Sequence, residues 1–595
     1  MRERLAGLCS RVGIEDAYVG IDGLSHVIPE KTLIALAHAL DAENATIPPP
    51  PTIAEVLSGS PAKRCFVPTH LQDARVWGVT CQLPGLVSGR NSGIGDFADL
   101  TALCEIAAVA GADFVGVNPL HALFWSDPTR ISPFFPSNRR FLNPLYIAVD
   151  WVEGFSRLPE ADRSVEAPKD SPFIDLPSVA AEKDRLLRKL YAQYPWTEEK
   201  RVRFGAFRNA GGEALHTHAL FEAISQTMIA RGLGPTPPSW PAEMRERTSS
   251  SVDAFAAGHR DLIDYHLWLQ WQARAQLGDV QKTARAAGLR VGLYVDFAVG
   301  AAPDGSAAWG APELTLPDVL IGAPPDPFSV FGQDWGLAPL SPTRLAALDA
   351  RPLAEIIAAA AEGSGALRID HAMGLARMWL IPRGFPATDG AYARYPLRRI
   401  LERLAEVSHA QETLVIGEDL GVVPEGFRQL MSDNNIHSYK VLLTERDAEG
   451  FADPKLWPVN GLACIATHDM PTFAGWWRGH DLDVRRDLGL LSESEVEAAR
   501  AARIEERKVL GARIDTGDGH TDSSVAVHAA IASSPCRLAV LQIEDALGVI
   551  EQANIPGTTT EHPNWRRRLP VALDNLADDA TFQAHTAAMR NARPK

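Results

Sequence analysis

No apolar run in this 595-residue chain reaches the roughly 20 residues that a membrane-spanning helix needs. The opening segment, MRERLAGLCSRVGIEDAYVG, carries charges where a secretory leader would have its apolar core. No membrane partner and a cytoplasmic location are therefore expected. Cysteine is scarce: Cys9, Cys65, Cys81, Cys104, Cys464 and Cys536 stand apart without CxxC spacing. That argues against a disulfide framework and reads as reduced thiols, several of them in apolar runs where the thiol acts as a small hydrophobe. Positive charge is in short supply, with 58 Lys and Arg against 74 Asp and Glu and a net charge of −16. Such a chain repels phosphate backbones and anionic surfaces, so nucleic acid is not an expected partner. There is no HExxH, no EF-hand loop and no other His/Asp/Glu grouping at a metal-ligand spacing, so no metal is expected. Internal repeats are absent, and the one biased tract is an Ala-rich helix at 354–361.

An apolar content of 46% and a charged content of 22% are those of an ordinary globular protein, and the length allows one large domain with insertions. Residues 1–60 read as a small helical N-terminal domain, with Leu5, Leu8 and Val12, then Leu33, Leu36 and Leu40, at helical spacing. It ends in the stiff linker Pro48-Pro49-Pro50-Pro51. From 61 to 595 short β-prone runs alternate with helical patterns such as Phe97–Ala110, Leu262–Ala287 and Leu397–Val407. Eight strands are predicted, near 76–80, 113–117, 290–296, 366–370, 414–418, 439–443, 463–467 and 537–542. Eight is the number that closes a parallel barrel. The fold class is α/β, a (β/α)8 TIM barrel with inserted subdomains on the catalytic face. The insertions are about 120–289, too long for one crossover, and 298–365, rich in Pro, Gly and Asp and read as substrate-binding loops.

Three of the predicted strands run into acids: Arg368-Ile369-Asp370-His371, Gly417-Glu418-Asp419-Leu420 and Thr467-His468-Asp469. In a barrel the residues past the C-terminal strand ends converge on one face, so Asp370, Glu418 and Asp469 should meet in one cleft. A lone acid after a strand is usually a cap or a salt-bridge partner; three at strand ends, two of them beside Arg or His, are better explained by a shared site. Retaining cleavage of an acetal needs an ionised carboxylate as nucleophile and a protonated carboxyl as acid, about 5 Å apart. Asp370 follows Arg368 by two residues, which puts both on one side of a strand beside a charge that favours the carboxylate. Glu418 leaves an apolar run and adjoins Asp419, so burial and like charge should hold its proton. Asp469 with His468 could hold sugar hydroxyls. Asp419 could simply cap the turn into Val422–Pro424, and His371 and His468 taken singly could be structural. Flat apolar platforms for sugar rings would come from tryptophans near Asp469 and from Trp335.

Seven segments together resemble the 4-alpha-glucanotransferases (amylomaltase, or disproportionating enzyme) of glycoside hydrolase family 77. They are SGIGDF at 92–97, SPFFPSNRRFLNPLYI at 132–147, GAPPDPFSVFGQDWG at 322–336, ALRIDHAMGLARMWLIP at 366–382, IGEDLGVVP at 416–424, THDMPT at 467–472 and NIPGTTTEHPNW at 554–565. The resemblance implies Asp370 as nucleophile, Glu418 as general acid/base and Asp469 as the transition-state stabiliser, with Arg368, His371 and His468 beside them. It implies that Asp334, Trp335 and Pro324-Pro325-Asp326 lie in a loop over the acceptor sites, and that Ser132, Asn143 and Pro144 line the donor side. Asn564-Trp565 matches a C-terminal signature, and Asp296 ends the third strand as a further substrate-binding acid. Phe134 stands where a tyrosine is often found, Pro327 replaces an aromatic residue, and Met470 follows the THD where some members have asparagine. The implied activity is transfer of α-1,4-glucan segments from a maltooligosaccharide donor to the 4-hydroxyl of glucose or another glucan, through a covalent Asp370 intermediate and with no cofactor. An α-glucan hydrolase on the same barrel and a catalytically silent glucan-binding protein are the alternatives.

Overall fold

The computed structural model describes residues 2–20, 23–163, 171–325, 329, 331–514 and 520–595. Eight short strands close into a barrel, every neighbouring pair parallel. They are β1 Val76–Cys81, β2 Phe114–Val117, β3 Gly292–Phe297, β4 Ala366–Ile369, β5 Leu414–Gly417, β6 His437–Val441, β7 Gly461–Cys464 and β8 Leu538–Gln542. Each lies beside the next in sequence, and β8 returns to β1 with Leu538 opposite Val76 and Gln542 opposite Thr80. The strands are almost wholly buried, which is why they read as continuous apolar runs and not as alternating ones. This is the (β/α)8 barrel that the strand count predicts.

The barrel is a packed core. Phe114, Tyr294 and Tyr439 fill its interior together with Val76, Leu414, Leu462 and Leu538. Two glycines make room for the rings. A Cβ on Gly78 would lie 2.3 Å from the Phe114 ring, and one on Gly116 would lie 2.5 Å from that of Tyr294. Phe114 and Tyr294 then meet edge-on, with centroids 5.9 Å apart.

The sixth and seventh strands begin and end earlier than their apolar patterns predict. After β6 the N–H groups of Thr444 and Glu445 turn back onto the Val441 carbonyl, and after β7 the buried Ile465 and Ala466 already belong to a loop. Burial continues past the paired residues, so hydrophobicity alone overshoots. Asp370 and Glu418 directly follow their strands, whereas Asp469 rides on a loop beyond Cys464.

Helices stand at Phe97–Ala110, Arg260–Ala286 and Leu397–Ala410, close to the predicted spans. Between β2 and β3 lie a further helix, Leu176–Ala192, a helical stretch Glu198–Ala230 that is broken at Gly212 (φ +54°, ψ −150°), and a pairing of His121–Ala122 with Asn138–Leu142. The 298–365 region holds more than loops. Its strands Val319–Ala323 and Gln333–Leu337 join Arg377–Pro382 and Ala391–Arg394 in a four-stranded antiparallel sheet. The N-terminal residues dock on that sheet. Their helices Arg2–Val12 and Glu30–Ala39 flank a hairpin of Ala17–Val19 and Ser25–Val27, whose three-residue strands are too short to leave a periodic signal. Glu15 donates its N–H to the Tyr392 carbonyl at 2.8 Å and pairs its carboxylate with Arg377 at 2.8 Å. Tyr18 meets Trp379 edge-on at 4.9 Å. Among the described residues no helix is long and apolar enough to cross a membrane, and the six cysteines are free and buried.

Filling the space left by a barrel glycine should be costly. Gly116→Val is expected to destabilise by about 1–3 kcal/mol through overpacking against Tyr294. Gly205→Ala, where a Cβ meets nothing within 4 Å, should stabilise its helix by about 0.5–1 kcal/mol. Urea midpoints of the two variants, moving in opposite directions, check both.

Candidate active site

The centre of the site is Arg368, only 5% exposed. Parallel pairing of β3 and β4 sets Asp296 opposite Arg368, and the two-residue period of the strand sends Arg368 and Asp370 to the same side. A single guanidinium nitrogen, Nη1, donates to Asp296 Oδ1 at 2.7 Å and Oδ2 at 2.8 Å, and to Asp370 Oδ1 at 3.0 Å. The guanidinium carbon lies 5.3 Å from the centre of the Tyr439 ring. Burial alone would discourage charge on Arg368, but the two carboxylates outweigh it and hold the guanidinium firmly protonated. Burial dominates at Asp296 and raises its carboxyl despite the arginine.

Glu418 stands one strand further on. Its Oε2 accepts the main-chain N–H of His371 at 2.8 Å, and its Oε1 accepts that of Leu420 at 2.9 Å. The first bond depends on an uncommon backbone: His371 has φ +47° and ψ +59°, the left-handed region that few residues other than glycine occupy, histidine more readily than most. Burial is the largest influence on Glu418, opposed by Arg368 and reinforced by Asp370, and its carboxyl is raised to about 7. Burial also lowers the His371 imidazole to about 4. The Trp335 ring meets that imidazole edge-on at 5.1 Å.

Asp469 is held differently. His468 Nε2 lies 3.4 Å from its Oδ2, and Asn554 Nδ2 donates to its Oδ1 at 2.6 Å. Burial works to raise this carboxyl, but His468, Asn554 and Arg368 outweigh it and leave it below its usual value. His468 is correspondingly raised: Asp469 overcomes the burial that would strip its proton. The Asp469 side chain keeps 46% of its surface exposed, so water screens this pair and its contribution to stability is small. Phe134 stacks on His468 with centroids 4.3 Å apart, and Trp565 lies 5.4 Å from both rings. Asp296, Arg368, Tyr439 and His468 face an open cleft that Thr80 and Gln82 also line.

Other residues singled out in the sequence lie further out. Ser132 accepts the Phe134 N–H on its hydroxyl at 3.3 Å and the Phe135 N–H on its carbonyl at 3.0 Å, so it shapes the turn that presents Phe134. Asn143 is buried, and its side chain accepts the Leu145 N–H at 3.1 Å. It also lines an apolar pocket with Trp125 and Trp565. Asp334 is exposed and accepts the Gly336 N–H at 2.8 Å. Asp326 and Pro327 lie outside the described residues. Asp419 does not cap the Val422–Pro424 turn. It is fully buried and accepts from the Ser438 hydroxyl at 2.7 Å, Tyr439 N–H at 2.8 Å and Arg428 Nε at 2.9 Å, which fastens the loop after β5 to β6. Asn554 and Tyr439 were not singled out in the sequence. Asn554 opens the NIPGTTTEHPNW segment, but its pairing with Asp469 leaves no local trace. Among the described residues no group of three or more His, Cys, Asp or Glu could hold a metal ion.

Comparison with known proteins adds to this geometry. The profile of glycoside hydrolase family 77, described as 4-alpha-glucanotransferase, matches residues 81–574. The chain belongs to that family. It is similar to the 4-alpha-glucanotransferase of Mycobacterium tuberculosis, with 36% identity over 558 residues that cover 88% of this chain and 76% of the relative. It is also similar to that of Haemophilus influenzae, with 33% identity over 549 residues that cover 86% and 78%. The amylomaltase of Corynebacterium glutamicum shares the fold at a TM-score of 0.85 and 24% identity, over 99% of this chain and 100% of that one. An amylomaltase from Streptococcus agalactiae, solved in complex with acarbose, follows at 0.71 and 18% identity, over 87% and 98%. Family 77 membership makes this chain an enzyme of the 4-alpha-glucanotransferase type.

Asp419 gives a test that separates scaffold from chemistry. Asp419→Ala leaves a hydroxyl, a main-chain N–H and a guanidinium without their buried acceptor, and a loss of about 3 kcal/mol is expected. The unfolding midpoint should drop accordingly, and by more than in Glu418→Gln, which keeps an acceptor for one of the two main-chain N–H groups that the Glu418 carboxyl serves.

Proposed function

We propose that the chain is a retaining 4-alpha-glucanotransferase acting on α-1,4-linked maltooligosaccharides. The observation that carries this reading is the contrast between two carboxyls on adjacent strands. Asp370 is bonded at 3.0 Å to a buried guanidinium, while burial raises Glu418 to about 7. One is suited to attack as an anion and the other to hold a proton, which is the pairing that a double displacement requires.

In the first half-reaction an Asp370 oxygen attacks the anomeric carbon of the donor. The bond to the glycosidic oxygen breaks, and that oxygen takes the Glu418 proton and departs as the 4-hydroxyl of the leaving glucan. In the second half the acceptor's 4-hydroxyl gives its proton to Glu418 and attacks the same carbon, and the ester to Asp370 breaks. Two inversions give net retention. Asp469, with His468, would hold hydroxyls of the reacting ring as it flattens toward an oxocarbenium ion. Phe134 and Trp565, beside His468, offer apolar surface to the sugar. The regions 120–289 and 298–365 act as coverings that favour a sugar acceptor over water, and residues 1–60 form a small N-terminal domain that rests on the four-stranded sheet.

Maltotriose decides the reaction class. Glucose together with a ladder of longer maltodextrins is the expected product pattern; glucose and maltose without longer chains would mean hydrolysis. Asp370→Asn should abolish turnover, and Glu418→Gln should lower kcat by about 10²–10⁴. The pH dependence has a definite sign. Glu418 must be protonated to start the reaction, so kcat/KM should fall as pH rises through about 7. The Glu418→Gln variant should lack this alkaline limb.

A further inference from the structure

Asp469 lies beyond the end of β7, so strand pairing does not fix it. Its support comes from the segment after β8. Thr472 Oγ1 donates to the Val549 carbonyl at 2.6 Å, and Asp545 Oδ1 accepts the Phe473 N–H at 2.6 Å, which together anchor the far end of the loop. A Cβ on Gly475 would sit 2.3 Å from the Ile550 carbonyl oxygen, so the two segments run in close contact. Nearest the carboxylate are Gln552 and Asn554. Gln552 is 7% exposed, and its amide nitrogen donates to two main-chain carbonyls, those of Asp469 at 3.0 Å and of Asn554 at 2.5 Å. Asn554 in turn donates its own amide to the Asp469 carboxylate. The main-chain carbonyl of Gln552 faces His562 Nε2 at 3.3 Å, which steadies the backbone that carries the glutamine.

We propose that Gln552 is a positioning residue for the reaction: its amide ties the main chains of Asp469 and Asn554 together, so that the Asn554 amide meets the Asp469 carboxylate in one fixed geometry. This rests on the reading of Asp469 as the stabilising carboxylate. The geometry is economical, because one NH2 group carries two hydrogens and each finds a carbonyl belonging to one member of the Asn554–Asp469 pair. No other side chain bonds to both main chains among the described hydrogen bonds. Losing the tie leaves Asp469 and Asn554 in place as residues but free to shift relative to each other. A group that acts mainly in the transition state is sensitive to such a shift, and the ground-state complex much less so.

The test uses the full chain with Gln552→Met, Gln552→Glu, Asn554→Ala, Asp469→Asn and the double variant Gln552→Met/Asn554→Ala. Each is assayed for disproportionation of maltotriose, below the melting temperature of the least stable variant and with near-UV circular dichroism as the folding control. Methionine keeps the volume and loses the N–H groups; glutamate keeps the shape and offers an oxygen to each carbonyl. Both should lower kcat by about tenfold to a hundredfold, the scale of a 1 Å misplacement, while KM stays within about threefold. In the Asn554→Ala background Gln552→Met should cost less than about threefold more, because the geometry it protects is already gone. Wild-type kcat in folded Gln552→Met, or the same fractional loss in both backgrounds, would overturn the proposal. Full activity in Asp469→Asn would instead remove the reading of Asp469 on which it rests.

Discussion

The site depends on one buried guanidinium. Arg368 Nη1 serves three carboxylate oxygens of two acids, in a barrel interior where an unpaired charge would be very costly. One positive charge cannot neutralise Asp296, Asp370 and Glu418 together. Asp370 and Asp296 take the guanidinium directly, while burial, reinforced by Asp370, outweighs the pull of Arg368 and keeps the proton on Glu418. The division of labour among chemically similar carboxyls follows from where a single cation stands. Tyr439, whose ring lies against that cation, is in turn held by Asp419 through its main-chain N–H. A buried acid outside the proposed chemistry therefore supports the surroundings of the cation that Asp296 and Asp370 share.

Carboxylates are positioned here by two methods of unequal rigidity. Asp370 and Glu418 are extensions of the barrel ladder: Asp370 N–H donates to the Phe297 carbonyl at 3.0 Å, and Glu418 N–H to the Ile369 carbonyl at 3.0 Å. The barrel fixes them before any side chain is considered. Asp469 is cross-braced from the neighbouring loop by amides and a hydroxyl. Ladder positions suit bond making and breaking, where small displacements matter most. A braced loop position, half open to solvent, suits the part proposed for Asp469, which is to meet a sugar ring as it distorts.

This difference also explains what was legible in the sequence. The eight barrel strands were readable because strands buried on both faces leave continuous apolar runs, and Asp370 and Glu418 were readable because they end such runs. The end of β7 was misread because Ile465 and Ala466 stay buried after pairing stops. The four-stranded sheet built from Val319–Ala323, Gln333–Leu337, Arg377–Pro382 and Ala391–Arg394 leaves no such signal because its two strand pairs are joined only by Val319–Ala323 against Arg377–Pro382, far apart in sequence. Asn554 and Gln552 reach Asp469 across a similar gap, and no spacing rule encodes a hydrogen bond between two loops. Asp419 was seen but assigned a local turn, since its partners Ser438 and Tyr439 lie on the next strand.

Two bulky aromatic residues at the site, His371 and Trp565, have positive φ of +47° and +60°. For such side chains each conformation costs on the order of 1–3 kcal/mol, so each needs a compensating contact. At His371 the turn aims the main-chain N–H at Glu418 Oε2 and sets the imidazole edge against Trp335. At Trp565 the N–H donates to the Ala553 carbonyl at 2.9 Å, and the ring faces His468 and Phe134. Glycine would relieve the backbone at either position but would remove the ring that the turn exists to place. Both residues therefore tie a strained turn to a different carboxylate: His371 to Glu418 directly, and Trp565 to Asp469 by way of His468. At His371 the strain lies where the barrel ladder ends, one residue past Asp370, whereas at Trp565 it lies in the long loop that follows β8. A left-handed residue reverses the chain within one position there and still delivers a side chain into the cleft.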